Sequence, residues 1–114
     1  MPRSGMEYGS ALIREINRTF DGSVELIGSA ETVIANMSYR DNPIDQAATA
    51  IRDIAGGHLF DNGNHRTAEV VAQRILGDTV DSATIRTATE QAGRGQIKTV
   101  EDIAGKLRRS EVSP

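Results

Sequence analysis

Apolar residues recur every three or four positions along most of this chain, which is the spacing of one face of an amphipathic helix. The first such stretch covers residues 5–20, where Leu12, Ile13, Ile16 and Phe20 share a face, and it ends at an Asp-Gly pair. A second stretch starts after Ser29, whose hydroxyl predicts a helix N-cap. The opening third of the chain therefore predicts two helices.

The remainder of the chain predicts four more helices. Asn42 followed by proline is a start signal for a third helix, which continues to a Gly-Gly pair at 56–57. A fourth covers residues 64–76, and Asp81 is the expected cap of a fifth, which ends near residue 93. Thr99 and Asp102 resemble a capping box with Asp in place of Glu, and open a last helix through residue 107.

Residues 23–27 are the one stretch with strand character, because apolar and polar residues alternate there between two glycines. Five residues are too few to found a sheet, so a small hairpin or an extended flap is expected. The sequence therefore predicts an all-α bundle of about six short helices, with that flap as an appendage.

Length and composition agree with one small domain. The 114 residues predict a single domain over 1–114, with a core over about 5–107 and disordered ends. Aromatic residues are 4% of the chain, so the core must be built from aliphatic side chains. Cysteine is absent, which excludes disulfides and thiolate metal sites.

Charge and hydropathy give no support for a nucleic-acid or a membrane partner. A net charge of −3, from 13 basic and 16 acidic residues, gives no electrostatic case for nucleic-acid binding. No apolar run has the length of a membrane span, and the N-terminus lacks the pattern of a signal peptide. We expect a cytoplasmic protein that does not bind membranes, although a toxin module of a longer secreted protein would have the same features.

Both histidines of the chain fall in one window, residues 58–68, with the sequence HLFDNGNHRTA. This polar, Gly- and Asn-rich loop leads into the fourth helix, whose first-turn N–H groups lack intrahelical partners and favour an anion. Arg66 adds a guanidinium suited to phosphate oxygens, and His58 is placed to act as a base beside a bound anion. Each feature alone is ordinarily a turn or a surface side chain; their combination predicts a phosphate-binding loop.

The same window resembles the motif of the Fic/Doc family, His-x-Phe-x-acid-Gly/Ala-Asn-Gly/Lys-Arg. The resemblance is specific over residues 42–77 and implies a small helical fold with a flap that docks the target's backbone. It implies that His58 is the catalytic base, that Arg66 is the catalytic arginine that neutralises charge on the phosphates, and that Phe60 is a buried anchor. It also implies that ATP and Mg²⁺ are the cofactors. The implied phosphate-binding positions are Asn62, Gly63, Asn64, His65 and Arg66.

Three positions depart from the family pattern. The metal-coordinating acid is expected where Asn62 stands, while the carboxylate, Asp61, lies one position earlier. Either Asn62 coordinates the metal through its carbonyl, or Asp61 swings in, or the metal site is impaired. His65 stands where the Fic form has Gly and the Doc form has Lys, and Glu69 replaces a further Arg of many Fic motifs.

Arg-Thr-Ala after a basic-type residue at position 65 resembles Doc more than adenylylating Fic proteins. This resemblance implies transfer of the terminal phosphate of ATP to a target hydroxyl, with an elongation factor such as Tu as the candidate target. Three alternatives remain: AMP transfer, a catalytically degraded module that only binds nucleotide or protein, and an accidental match in a helical interaction domain. No Glu follows a Ser or Thr by four residues, as the inhibitory helix of many Fic proteins requires. A separate antitoxin or immunity protein is therefore expected.

Overall fold

In the computed structural model, residues 5–109 are described, and their side chains from residue 9 onward. Within this part of the chain there are six α-helices: α1 (Gly5–Thr19), α2 (Ala30–Ser38), α3 (Pro43–Ile51), α4 (Asn64–Leu76), α5 (Ser82–Gly93) and α6 (Val100–Arg108). A π-helical turn, Arg52–Gly56, extends α3, and a 3₁₀ turn, Gly77–Thr79, follows α4. The predicted all-α class is confirmed.

Helix α3 forms the centre of the bundle because small residues let its neighbours approach closely. Four of its nine residues are alanine or threonine at positions 47–50, and all four are buried. One core cluster joins α3 to the residues of α5 and α6, including Ile85 and Ile103. The other joins it to α1 and α2, including Ile13 and Val33. Helix α4 contributes to both clusters, through Ala72 to the first and Val71 to the second.

The predicted caps are largely confirmed. The side chains of Ser29, Asn42 and Thr99 each accept a hydrogen bond from the N–H three residues later. Asp81 is different, because it precedes α5 but makes no side-chain cap. The predicted N-cap position of α5 was therefore right, and the predicted hydrogen bond from the Asp81 side chain was wrong.

Two further expectations are corrected. Leu12 lies beside the buried face of α1 but remains 39% exposed, because Ile13 and Ile16 occupy the inward positions. Arg108 was assigned to a disordered end, yet it ends α6 and its Nη2 lies 2.9 Å from the Oδ1 of Asp45. Arg109 is described as the C-cap residue of α6, while residues 1–4 and 110–114 of the predicted disordered ends lie outside the described residues.

Residues 23–27 are extended, as expected, but form no hairpin within the described part of the chain. They make a single antiparallel bridge, between Glu25 and Phe60. The segment is thus fixed to the motif loop rather than folded on itself. No helix among the described residues has the length and apolar character needed to cross a membrane.

Candidate phosphate-binding loop

The motif loop starts with an unusual backbone path. After α3, the π-helical turn places the N–H of Gly57 on the carbonyl of Arg52 (2.9 Å) and the N–H of Leu59 on the carbonyl of Ile54 (3.2 Å). His58 lies between them with φ of +50°, in the left-handed region. This conformation costs a non-glycine residue roughly 1–2 kcal/mol, and such strain is concentrated at functional sites. Here it accompanies an exposed His58 side chain directly before the buried Leu59.

The middle of the loop is anchored to the core. Leu59 and Phe60 are 2% and 3% exposed, as the expectation of a buried aromatic anchor requires. Asn64, at the start of α4, binds both backbone groups of Phe60: its Oδ1 accepts from the N–H and its Nδ2 donates to the carbonyl, each at 2.8 Å. The Asn64 amide was expected to hold phosphate oxygens. Its carbonyl and one amide hydrogen instead fix the loop.

Asn17, a residue of α1 that the sequence did not single out, binds the loop from the side of α1. Its Nδ2 donates to the carbonyl of Asn62 (2.8 Å) and to the Oγ1 of Thr67 (3.2 Å). The side chain is 1% exposed, and its Oδ1 has no hydrogen-bond partner within the described structure. The available signal was a polar residue four positions after Ile13 on the buried face of α1. Its partners, 45 and 50 positions away, were not visible in the sequence.

Asp61 ties the extended segment to the loop. Its Oδ1 accepts hydrogen bonds from the N–H groups of Ser23 (2.9 Å) and Val24 (3.1 Å), and its Oδ2 accepts from the Ser23 hydroxyl (3.2 Å). These backbone hydrogen bonds lower the pKa of the Asp61 carboxyl, because they stabilise its charged form. The backbone adds a further bond, from the Asp61 N–H to the carbonyl of Val24 (2.9 Å).

The N-terminus of α4 is uncapped. Gly63 occupies the N-cap position with φ of +73° and makes no side-chain cap. A Cβ at this position would come within 2.6 Å of the Phe20 carbonyl oxygen, so only glycine fits without a backbone shift. The Gly63 N–H is used by the Oδ1 of Asn62 (3.1 Å). The next N–H groups, of the first turn of α4, have no capping side chain. Such N–H groups at a helix start favour an anionic ligand.

The expected catalytic and phosphate-binding side chains meet in one cleft. A cavity of about 400 Å³ is lined by residues 58 and 61–66. The rings of His58 and His65 lie with their centroids 6.5 Å apart. Arg66 is exposed, and its Cζ lies 4.7 Å from the centroid of the Phe20 ring. An exposed imidazole thus shares a cleft with a guanidinium and with the start of a helix.

The described residues do not fit a resident magnesium site. They contain no group of three or more His, Cys, Asp or Glu side chains that could hold a metal ion. Both oxygens of Asp61 are engaged by Ser23 and Val24, so bringing Asp61 to a metal would break three hydrogen bonds. The side-chain Oδ1 of Asn62 accepts a hydrogen bond from the N–H of Gly63. Of the three alternatives for the metal, the impaired site agrees best with these contacts.

A second cavity, of about 470 Å³, is lined by residues of α2, the π-helical turn and the segment after α5. Its acidic group, Asp53, is already paired: it accepts from Asn36 Nδ2 and from Arg52 Nε, each at 2.8 Å. This cavity contains neither histidine. The cleft at the motif loop is therefore the better candidate for chemistry.

Comparison with known proteins adds no assignment: no protein-family model matches the sequence, and no curated protein does so either.

Proposed function

We propose that this chain is a Fic/Doc-type transferase that moves a phosphate-containing group from ATP to a hydroxyl side chain of a target protein. The observation that carries the proposal is the shared cleft of His58, Arg66 and the uncapped start of α4. Transfer of the terminal phosphate is preferred, because the motif of the chain resembles Doc at positions 65–68. A translation elongation factor is the candidate target on the same ground.

In this proposal His58 is the general base. A neutral ring nitrogen of His58 takes the proton of the target hydroxyl as its oxygen forms a bond to the γ-phosphorus. The bond between that phosphorus and the bridging oxygen to the β-phosphate breaks, and ADP leaves with the electron pair. The first-turn N–H groups of α4 and the Arg66 guanidinium stabilise the negative charge of the transferring group.

The hydrogen bonds that hold the loop support the same proposal. Phosphoryl transfer depends chiefly on positioning and on charge stabilisation, so the protein must hold its groups before the substrate arrives. Asn64, Asn17 and Asp61 fix the loop from three directions through hydrogen bonds of 2.8–3.2 Å. A magnesium ion held by protein carboxylates forms no part of the proposal, because the nearest carboxylate is committed to residues 23 and 24.

A catalytically degraded module that binds nucleotide or protein is the second candidate. It is favoured by one observation, the engagement of both Asp61 oxygens next to an asparagine at the family's metal position. In this case the cleft would bind a nucleotide through Arg66 and α4 without transferring any group. AMP transfer is the remaining alternative, and it differs only in which phosphorus reacts.

One labelling experiment separates these candidates. The chain is incubated with a bacterial lysate and with ATP labelled at either the α or the γ phosphate, and labelled protein is detected after electrophoresis. We expect γ label on a protein band, and none when His58→Asn replaces the wild type. Label from the α phosphate would establish AMP transfer instead. Binding of ATP without transfer of either label would leave only the binding module, and absence of both would exclude a nucleotide-dependent function.

A separate inhibitor protein belongs to the same proposal. The inhibitory pattern of many Fic proteins is absent from the sequence, since no Glu lies four residues after a Ser or Thr. An unrestrained transferase would damage the cell that makes it. Co-expression with neighbouring genes, scored by relief of toxicity, tests for such an antitoxin or immunity protein.

A further inference from the structure

The ring of His65 packs against a glycine of a different helix. Gly93 is the last residue of α5, whereas His65 belongs to the first turn of α4. A Cβ on Gly93 would overlap the Nε2 of His65 and would lie 2.5 Å from its Cδ2 and 2.9 Å from its Cε1. These distances are well below ordinary van der Waals contact. The observed place of the ring is therefore incompatible with any side chain at position 93.

The backbone of Gly93 does not itself require glycine. Gly95, two residues later, has φ of +76°, whereas Gly93 is helical and is not among the residues with positive φ. Glycine destabilises a helix relative to alanine, because it loses more conformational freedom on folding. The glycine at position 93 is therefore explained by the space that the His65 ring occupies and not by the geometry of α5.

No polar partner holds the ring of His65. Its imidazole makes no hydrogen bond and no ion pair with any residue that the structure describes. Its aromatic neighbour is the ring of His58, which is tilted by 43° at a centroid distance of 6.5 Å. A side chain on a helix surface has several staggered rotamers. The absence of a Cβ at position 93 is what makes the observed rotamer of His65 available.

The place of this ring matters because it lies in the motif cleft. His65 lines the cavity of about 400 Å³ together with His58 and Arg66. The His65 side chain is exposed, and an imidazole carries a ring N–H in both its neutral and its protonated form. It can therefore donate a hydrogen bond to an anion in the cleft. A ring displaced by a side chain at position 93 would leave this position.

We infer that Gly93 is a positioning residue of the cleft: by having no side chain, it lets the His65 ring lie where it donates to a phosphate oxygen of the bound nucleotide. This inference rests on the proposed function and deepens it. It makes α5 part of the phosphate-binding site, although α5 lies outside the loop and helix that carry the motif. Gly93 itself contacts no phosphate, so its effect passes through His65.

Isothermal titration of the full chain with ATP tests the inference through a double-mutant cycle. Gly93→Ala should weaken ATP binding about tenfold, the loss expected for one hydrogen bond to a charged group. His65→Ala should weaken it by a similar factor. The double variant should bind no less tightly than His65→Ala, because the added methyl group then displaces no ring. Gly105→Ala adds the same methyl to α6, where the Cβ would meet nothing within 4 Å, and this control should bind ATP as the wild type does.

NMR spectra of the imidazole carbon–proton groups test the contact without nucleotide. The chain has two histidines, so in His58→Asn the remaining ring signals belong to His65. In that background Gly93→Ala should shift these signals, and Gly105→Ala should not. The melting temperature of Gly93→Ala should not fall, since an exposed ring can move aside and alanine favours the helix. Unchanged ring signals in Gly93→Ala would overturn the inference.

The titration has two further outcomes that would overturn the inference, and they differ in what else they exclude. The first is that the wild type binds ATP, but Gly93→Ala binds it equally well or the double variant binds it less tightly than His65→Ala. Gly93 would then not act through His65, and the proposed function would stand. The second is that the wild type binds no ATP, which would exclude the inference and the proposed function together.

Discussion

The guanidinium of Arg66 lies over the ring of Phe20, with its Cζ 4.7 Å from the ring centroid. Arg66 is on the motif helix α4, and Phe20 directly follows α1, so the contact joins two elements that are distant in the sequence. A cation over an aromatic face is held electrostatically without a carboxylate that would neutralise it. Phe20 thus orients the arginine of the cleft and leaves its charge available to a ligand.

Replacing Phe20 by Leu should lower the affinity for ATP about two- to fivefold, because an exposed cation–π contact contributes about 0.5–1 kcal/mol. The melting temperature should change little, since leucine retains much of the apolar contact. Isothermal titration measures the affinity. Tyr39→Leu, which removes an exposed aromatic side chain at the end of α2, is the control. Equal affinities for Phe20→Leu and the wild type would contradict an orienting role.

Replacing His58 should remove transfer with little effect on the fold. Asparagine tolerates the left-handed backbone, so His58→Asn should keep the wild-type melting temperature, while alanine carries the strain of φ +50°. Both variants should lose about a hundredfold or more in transfer rate, as expected for a general base. Rates with labelled ATP, read together with thermal unfolding, separate the two effects. Retention of more than about a tenth of the rate by His58→Asn would exclude the base role.

Gly63 should tolerate no side chain. Gly63→Ala adds a Cβ 2.6 Å from the Phe20 carbonyl oxygen at φ of +73°, so it should destabilise the fold by about 1–3 kcal/mol. Gly105→Ala is the opposite case, because its Cβ would meet nothing within 4 Å inside α6. Alanine should there stabilise the fold by up to about 1 kcal/mol. Urea unfolding of both variants checks the contrast; equal effects would show that the tight contact at Gly63 is absent.

Asn17→Ala should destabilise the fold by about 1–3 kcal/mol, because it leaves the Asn62 carbonyl and the Thr67 hydroxyl without their buried donor. It should also slow transfer, since the loop loses its support from α1. Arg18→Ala, at the exposed neighbouring position of the same helix, should change stability by less than about 0.5 kcal/mol. The free energy of unfolding in urea measures both. A stable Asn17→Ala variant with normal transfer would show that the loop keeps its conformation without the hydrogen bonds of Asn17.

The contact between Asp61 and residues 23–24 should depend on pH. Hydrogen bonds from Ser23 and Val24 lower the pKa of the folded Asp61 carboxyl below its usual value of about 3.9. The stabilisation is therefore fully present above about pH 4 and is lost as the pH falls through the folded pKa. The wild type should exceed Asp61→Asn in stability near neutral pH, and the difference should shrink below about pH 4. A difference that does not change with pH would contradict this account.

The parts of the fold that depend on near neighbours were predictable from the sequence. Asn42 followed by Pro43 defines a helix start through its own backbone geometry, and Ser29 and Thr99 act on N–H groups three residues away. The apolar spacing predicted which faces are buried for the same reason. Arg108 was missed because its partner, Asp45, lies 63 positions away.

The loop motif predicted which residues share the cleft, but not what each one contacts. The roles of Asn64 and Asp61 depend on which polar groups the fold brings next to them, the backbone of Phe60 in one case and that of residues 23–24 in the other. Asn17 was missed for the same reason, since an asparagine on an apolar face has no visible partner in the sequence. The π-helical turn before His58 also gave no signal, because its composition, Arg52–Gly56, is compatible with an ordinary helix.

The π-helical turn Arg52–Gly56 determines the direction in which the side chain of His58 points. A π-helical turn holds more residues than the 3.6 of an α-helical one, so it shifts the rotational phase of everything that follows. Deleting a single residue between positions 52 and 56 would let α3 continue as a regular helix and would rotate its exit by about 100°. The imidazole would then leave the helix towards another side of the molecule. Insertions and deletions in these five positions would consequently be far more damaging to activity than substitutions that keep their number.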